Sequence, residues 1–253
     1  MAKVFQSMKK ETIRVGDIKR YIFYALGEIV LITLGIWIAL QLDGWKENRQ
    51  ERAMEIKILN EIKSGFKKDI RDIQFNISLH EQSTESCQIV LDHFSRNLPY
   101  TNELSQHFSG ALWYSRFIIT EGPFETLKAM GLDIISNDTM RIKIIGMYDN
   151  RYEGIRLFER NTFLDESYIS AVIAARFDKT EIWRIGENGV VFKGNMIPHD
   201  YQKLKSDKDY IHVLKSQISK NDFLIKWFMR RIQQDLKKLI VEIENEVDRL
   251  QSN

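Results

Sequence analysis

The stretch from Tyr21 to Leu42 constrains this chain more than any other part of it. Its 22 residues hold one charged side chain, Glu28, and are otherwise almost wholly apolar. As a helix the stretch is about 33 Å long, enough to cross a hydrocarbon core of about 30 Å with slight tilt. A buried core helix of that length would carry a polar stripe, and this one carries none. A cleaved signal peptide fits less well. The apolar run is too long, its twenty-residue lead-in is too extended, and no small-x-small cleavage site comes after it.

Tyr21–Leu42 therefore reads as a transmembrane helix between a short cytoplasmic tail, 1–20, and a helical extracytoplasmic domain, 43–253. Lys19 and Arg20 abut the span on its N-terminal side, which favours that end inside. Glu28 lies off-centre, about 10 Å into the span, where its carboxyl can reach back toward Lys19 and Arg20. A proton or ion relay would need further ionisable groups, and the span supplies none. Glu28, Gly35 and Ala39 fall near one helical face, and Gly35 with Ala39 forms a small-xxx-small pair of the kind that lets two backbones approach. Self-association through this face is expected, with membrane lipid around it.

The remainder is globular in balance: 28% charged, 43% apolar, net charge +2. Near-cancellation of 37 basic and 35 acidic residues gives no drive toward nucleic acid. A single cysteine, Cys87, excludes an intrachain disulfide and a cysteine-based zinc site. Only three prolines interrupt the chain, which favours long helices.

Asp43-Gly44-Trp45 reads as an interfacial joint. After it, Ile56, Leu59, Phe66, Ile70, Ile73, Ile77, Cys87, Leu91 and Phe94 recur in steps of three and four, with polar interruptions at Lys63, His80 and Thr84. One helix is predicted over 46–96, closed by Pro99. A shorter helix near 102–117 carries Phe108, Trp113, Tyr114 and Phe117. Pro123 starts another, which Gly131 stops. Asn137-Asp138 caps a long helix running to about Phe177, with Ile155, Phe158 and Phe163 among its apolar positions. A small hairpin is expected across Gly186-Glu-Asn-Gly189, and an amphipathic helix from Asp207 to a frayed, charged tail.

These elements imply an all-α fold class: a transmembrane helix, then an elongated antiparallel helical bundle with a small β-hairpin near 182–192. In that arrangement the 138–177 helix runs back along the first. The 178–206 segment then sits at the membrane-proximal end, and the aromatic region 97–137 forms a distal interaction tip.

Gly27-Glu-Ile-Val-Leu-Ile-Thr-Leu-Gly-Ile36, with Ala39-Leu-Gln-Leu-Asp-Gly-Trp45 after it, and Phe124-Glu-Thr-Leu-Lys128 carry a resemblance. Both segments are similar to an uncharacterised family of single-pass membrane proteins of Bacteroidetes-type bacteria. The resemblance implies an inner-membrane protein with a periplasmic helical domain, and brings no catalytic residue with it.

The residues offer little chemistry. His80, His93, His107, His199 and His212 lack the spacing of a helical metal site, and His199-Asp200 is at most a weak pair. Gly186 and Gly189 lack the Lys-Ser/Thr of a phosphate loop, and no Gly-x-Ser-x-Gly elbow occurs. The basic clusters Lys67-Lys68 and Arg230-Arg231 read as solvated faces. No cofactor and no metal are expected. A non-enzymatic envelope scaffold, homo-oligomeric or bound to an envelope protein, is the leading expectation. A ligand-sensing domain is second, weakened by a tail too short for a signalling domain; an envelope enzyme is third.

Overall fold

The computed structural model describes residues 15–162, 166–187 and 190–252, with side chains from Ala25 onward. Most of the expected tail, Phe163 of the expected apolar stripe and the Asn188-Gly189 turn lie outside the described residues. The chain divides into two units, up to Met54 and from Glu55 onward.

In the first unit, helix α1 (Val15–Ser95) runs unbroken through Gly44, so the expected joint is ordinary helix. The helix is long and apolar enough to cross a membrane, and among the described residues none of its most apolar stretch is buried. Leu31 is 71% exposed.

In the second unit the same helix supplies one wall of the core. Ile58, Leu59, Ile62, Phe66, Ile73, Cys87 and Val90 recur at helical spacing and are buried. Asn97, with φ 52°, ends the helix in the left-handed region that asparagine tolerates. Helix α2 (Asn102–Gly110) comes next, capped by Thr101. The helix expected to 117 stops there, and residues 113–121 are irregular instead. Side chains capture this segment's backbone: Asp72 Oδ2 accepts from Ile118 N–H at 2.9 Å, and Asp69 Oδ1 from Thr120 N–H at 2.9 Å. These bonds replace the helical ones that the segment forgoes.

Helix α3 (Gly122–Met130) begins with Pro123 near its start and ends at Gly131, whose φ of 100° suits glycine. Ser136 then donates to Glu55 Oε1 through its N–H and its hydroxyl. Asn137 caps α4 (Asp138–Gly146), accepting from Met140 N–H at 3.1 Å. A π-helical stretch, Met147–Tyr152, joins α4 to α5 (Glu153–Thr162). Helix α6 (Glu166–Ala174) ends short of the expected Phe177, which instead opens a strand.

Two small antiparallel ribbons come after α6. Strand β1 (Phe177–Thr180) pairs with β4 (Met196–Pro198), and β2 (Trp183–Ile185) pairs with β3 (Val191–Lys193) in the expected hairpin. The outer ribbon has too weak a periodicity to be expected from sequence. Gly194 is required where they meet, since a Cβ there would fall 1.9 Å from the Glu181 carbonyl oxygen. A short helix α7 (Tyr201–Leu204) precedes α8 (Lys208–Phe223), capped by Asp207. A second π-helical stretch, Leu224–Met229, leads into α9 (Arg230–Ser252). The tail does not fray: Val247 and Leu250 are buried in the core.

Contacts along α1 set the helix directions, and they correct the expected layout. Ser136 sits at Glu55 and Tyr152 at Asp69, so α4 and α5 run parallel to α1. Asn221 sits at His80 and Glu244 at Lys67, so α8 and α9 run antiparallel to it. The segment returning from the Ser95 end to the Glu55 end is 111–137, not the 138–177 helix. The ribbons lie at the Ser95 end of α1, where Lys193 Nζ donates to Ser86 Oγ at 3.0 Å. The side chains of α1 that bond to 113–121 are what allow a non-helical strand to make the return.

Two core clusters result. One joins Phe66, Tyr152, Ile232 and Leu236; the other joins Cys87, Phe108, Phe177 and Tyr210.

Candidate functional site

Between the two clusters lies a cavity of about 550 Å³. Its walls come from α1 at His80, the irregular segment at Leu112–Ser115, α5, α6, the ribbons at Thr180 and Ile182, and α8. The volume falls in the range of about 300–1,000 Å³ that small-molecule sites occupy. The lining is mostly apolar, with Phe158, Ile169, Ile173 and Leu224 as the main surface.

Glu159 reaches this cavity because of helix phase. A π-helical stretch adds one residue to the turn, so Met147–Tyr152 rotates everything after it. Helix α5 then turns Ile155 and Glu159 inward together. Glu159 is 7% exposed as a residue, and its Oε1 accepts from Phe117 N–H at 3.0 Å. Burial pushes its pKa up to about 7; Asp72 adds to this, while the Phe117 amide and Arg116 oppose it.

His80 lines the opposite wall. Its Nδ1 lies 3.0 Å from Asn221 Oδ1, and its Nε2 lies 3.1 Å from the Ser115 carbonyl oxygen. The Asn221 amide is oriented by its own donations to the His80 carbonyl and to Thr84 Oγ1, each 3.2 Å. Its Oδ1 therefore faces the ring as an acceptor, as the Ser115 carbonyl does on the other side. Two acceptors around the ring favour a second proton, but burial outweighs them and holds the pKa below its ordinary value. At the rim, Tyr114 Oη donates to Glu166 Oε1 at 3.2 Å.

Asp69 and Tyr152 brace this wall from behind. Tyr152 Oη donates to Asp69 Oδ2 at 2.6 Å. The tyrosine pKa rises far above its ordinary value, by burial first and then by the charge of Asp69.

The expected interaction tip is corrected. Phe108, Trp113 and Phe117 are buried: Phe108 packs edge-on to Phe177 at 5.3 Å, Trp113 stacks on Trp183 at 4.8 Å, and Phe117 meets Tyr152 at 5.5 Å. Of the four, Tyr114 alone is exposed, and it borders the cavity. Aromatic clustering in sequence marks core here, because large rings gain most from burial. Glu28, Gly35 and Ala39 lie on the apolar part of α1, and a Cβ at Gly35 would meet nothing within 4 Å.

Among the histidines, His199 Nδ1 pairs with Asp178, while Asp200 caps α7, so the two neighbours serve different partners. Cys87 is buried with its thiol pushed up to about 12, as suits a core residue rather than a nucleophile. Among the described residues, no three His, Cys, Asp or Glu side chains converge as a metal site would need. Sequence reasoning misses Glu159. Its one signal is a carboxylate four residues after Ile155, on a face that otherwise reads apolar.

Comparison of the chain with known proteins finds no matching family model, no matching curated protein and no matching solved structure.

Proposed function

We propose that the chain is a membrane-anchored ligand-binding protein. Residues 21–42 cross the bilayer, the N-terminus faces the cytoplasm, and the helical domain binds a small organic molecule outside it. One observation carries the binding half of this reading: the cavity of about 550 Å³, apolar on most of its surface, with His80, Glu159, Gln217 and Asn221 among its polar lining groups. The exposed apolar stretch of α1 and the resemblance of 27–36 and 124–128 to single-pass bacterial membrane proteins support the anchoring half.

Native mass spectrometry of the full chain, extracted from membranes in mild detergent, tests the binding. A small molecule leaving with the wild type and absent from Ser170→Trp, which fills the cavity, is the expected result. Identical ligand-free spectra and no competition by added small molecules would overturn it.

A second reading, a self-associating envelope scaffold, is favoured by the hairpin. Trp183, Ile185, Val191 and Phe192 are 40–71% exposed, an apolar patch of the kind that marks contact sites. Analytical ultracentrifugation of the full chain in detergent would remove it by showing monomers only.

A further inference from the structure

The charge lining the cavity says more about its occupant, provided that it binds one. Among the described residues two carboxylates line it, Glu159 and Glu166, against one ammonium, that of Lys220. His80 does not redress the balance, since burial favours its neutral form. Glu166 is held by a neutral donor, the Tyr114 hydroxyl. Glu159 is held by another, the Phe117 amide, through Oε1 alone. Its Oε2 has no hydrogen-bond or ion-pair partner among the described residues, yet it is not among the buried atoms sealed off without one. Glu159 lines the cavity, and Oε2 is the carboxyl oxygen left to meet a ligand there.

A carboxylate in a largely apolar cavity is costly unless a counter-charge joins it. Among the described residues no side chain in the cavity supplies one to Oε2.

We propose that the ligand is a small organic cation, a protonated amine on an apolar body, whose ammonium donates to Glu159 Oε2. Its body packs on Ile169, Ile173 and Leu224. This assignment rests on the ligand-binding reading above. An anion of the same shape would meet two carboxylates. A neutral molecule would leave Oε2 without a donor unless it brought a hydroxyl, and a hydroxyl bond to a carboxylate is weaker than an ammonium one.

Three probes of nearly one shape separate these cases: tryptamine, tryptophol and indoleacetate, titrated calorimetrically into the full chain in detergent. At about pH 8, where Glu159 is ionised, tryptamine is expected to bind at least about tenfold tighter than tryptophol, and indoleacetate weakest. Glu159→Gln, nearly isosteric, is expected to remove that preference by weakening tryptamine binding to the level of tryptophol. Equal binding of tryptamine and tryptophol, tightest binding of indoleacetate, or tryptamine binding indifferent to Glu159→Gln overturns the charge assignment and leaves the cavity reading standing. Failure of all three to bind, together with a ligand-free native mass spectrum, overturns both.

Discussion

His80 and Asn221 hold each other across the helix pair α1 and α8: the imidazole Nδ1 lies 3.0 Å from Asn221 Oδ1, and the Asn221 amide donates to the His80 carbonyl at 3.2 Å. Both residues are nearly fully buried. The pair converts what looks like a flaw in a hydrophobic seam into a fixed register between two helices, and the same two side chains line the cavity. A buried polar group is stabilising only when its partner is present, because an unmade bond costs the full desolvation of the group left behind.

Asn221→Leu should therefore destabilise the protein by about 2 kcal/mol, by stranding His80 Nδ1. His80→Leu added to it should recover part of that loss, since both partners are then apolar. Urea unfolding of the full chain in mild detergent, monitored by tryptophan fluorescence, measures both. Additive losses would show that the two residues act independently.

Asp69 accepts from both Tyr152 and Thr120, so its removal leaves one buried and one half-buried donor. Asp69→Ala should cost about 2–4 kcal/mol, and Tyr152→Phe about 1 kcal/mol, because only the first frees the irregular segment as well. The same unfolding assay reads the difference. Equal losses would mean that the Thr120 bond contributes little.

Glu159 predicts a pH dependence. Its folded pKa, about 7, lies above the ordinary 4.5, so the folded state binds the extra proton between those values. That contribution is fully present below the lower value and lost as pH rises through the upper one. The groups bearing on it are Arg116 and Asp72, with His80, Tyr114, Glu166 and Lys220 lining the same cavity. Between about pH 5 and about pH 8, Glu159→Gln should gain stability relative to wild type, by up to about 3 kcal/mol. Parallel stability curves for the two proteins would contradict this.

Anchoring makes its own prediction. Arginine at the centre of a membrane helix costs about 2.5–3.5 kcal/mol per residue in insertion. Leu31→Arg with Leu34→Arg should move the chain from the alkali-resistant membrane pellet to the supernatant. Retention of the double variant would argue that something other than this helix holds the protein at the membrane.

Helices are legible in the sequence wherever local rules are strong. Pro123 and Gly131 bracket α3 as expected, Asn137 caps α4, and Asp207 starts α8. Caps and breakers act on their immediate neighbours, so their signal needs no knowledge of the fold. The segment 113–121 misleads because its aromatics recur at near-helical spacing. What unwinds it is Asp69, Asp72, His80 and Glu159, more than thirty residues away in sequence. No local rule anticipates donors and acceptors brought from that distance.

The sequence alone determined the long apolar helix, the mainly helical class of the domain after it, and the exclusion of disulfide chemistry. All three rest on composition and period, which are properties of the chain before it folds. Tertiary structure decided which helices run parallel, where the ribbons dock, and that a carboxylate, an imidazole and an amide share one cavity. Direction and convergence depend on side chains that meet only after the chain has turned back on itself. In this protein one such return, 111–137, has its non-helical parts held by hydrogen bonds to side chains of α1.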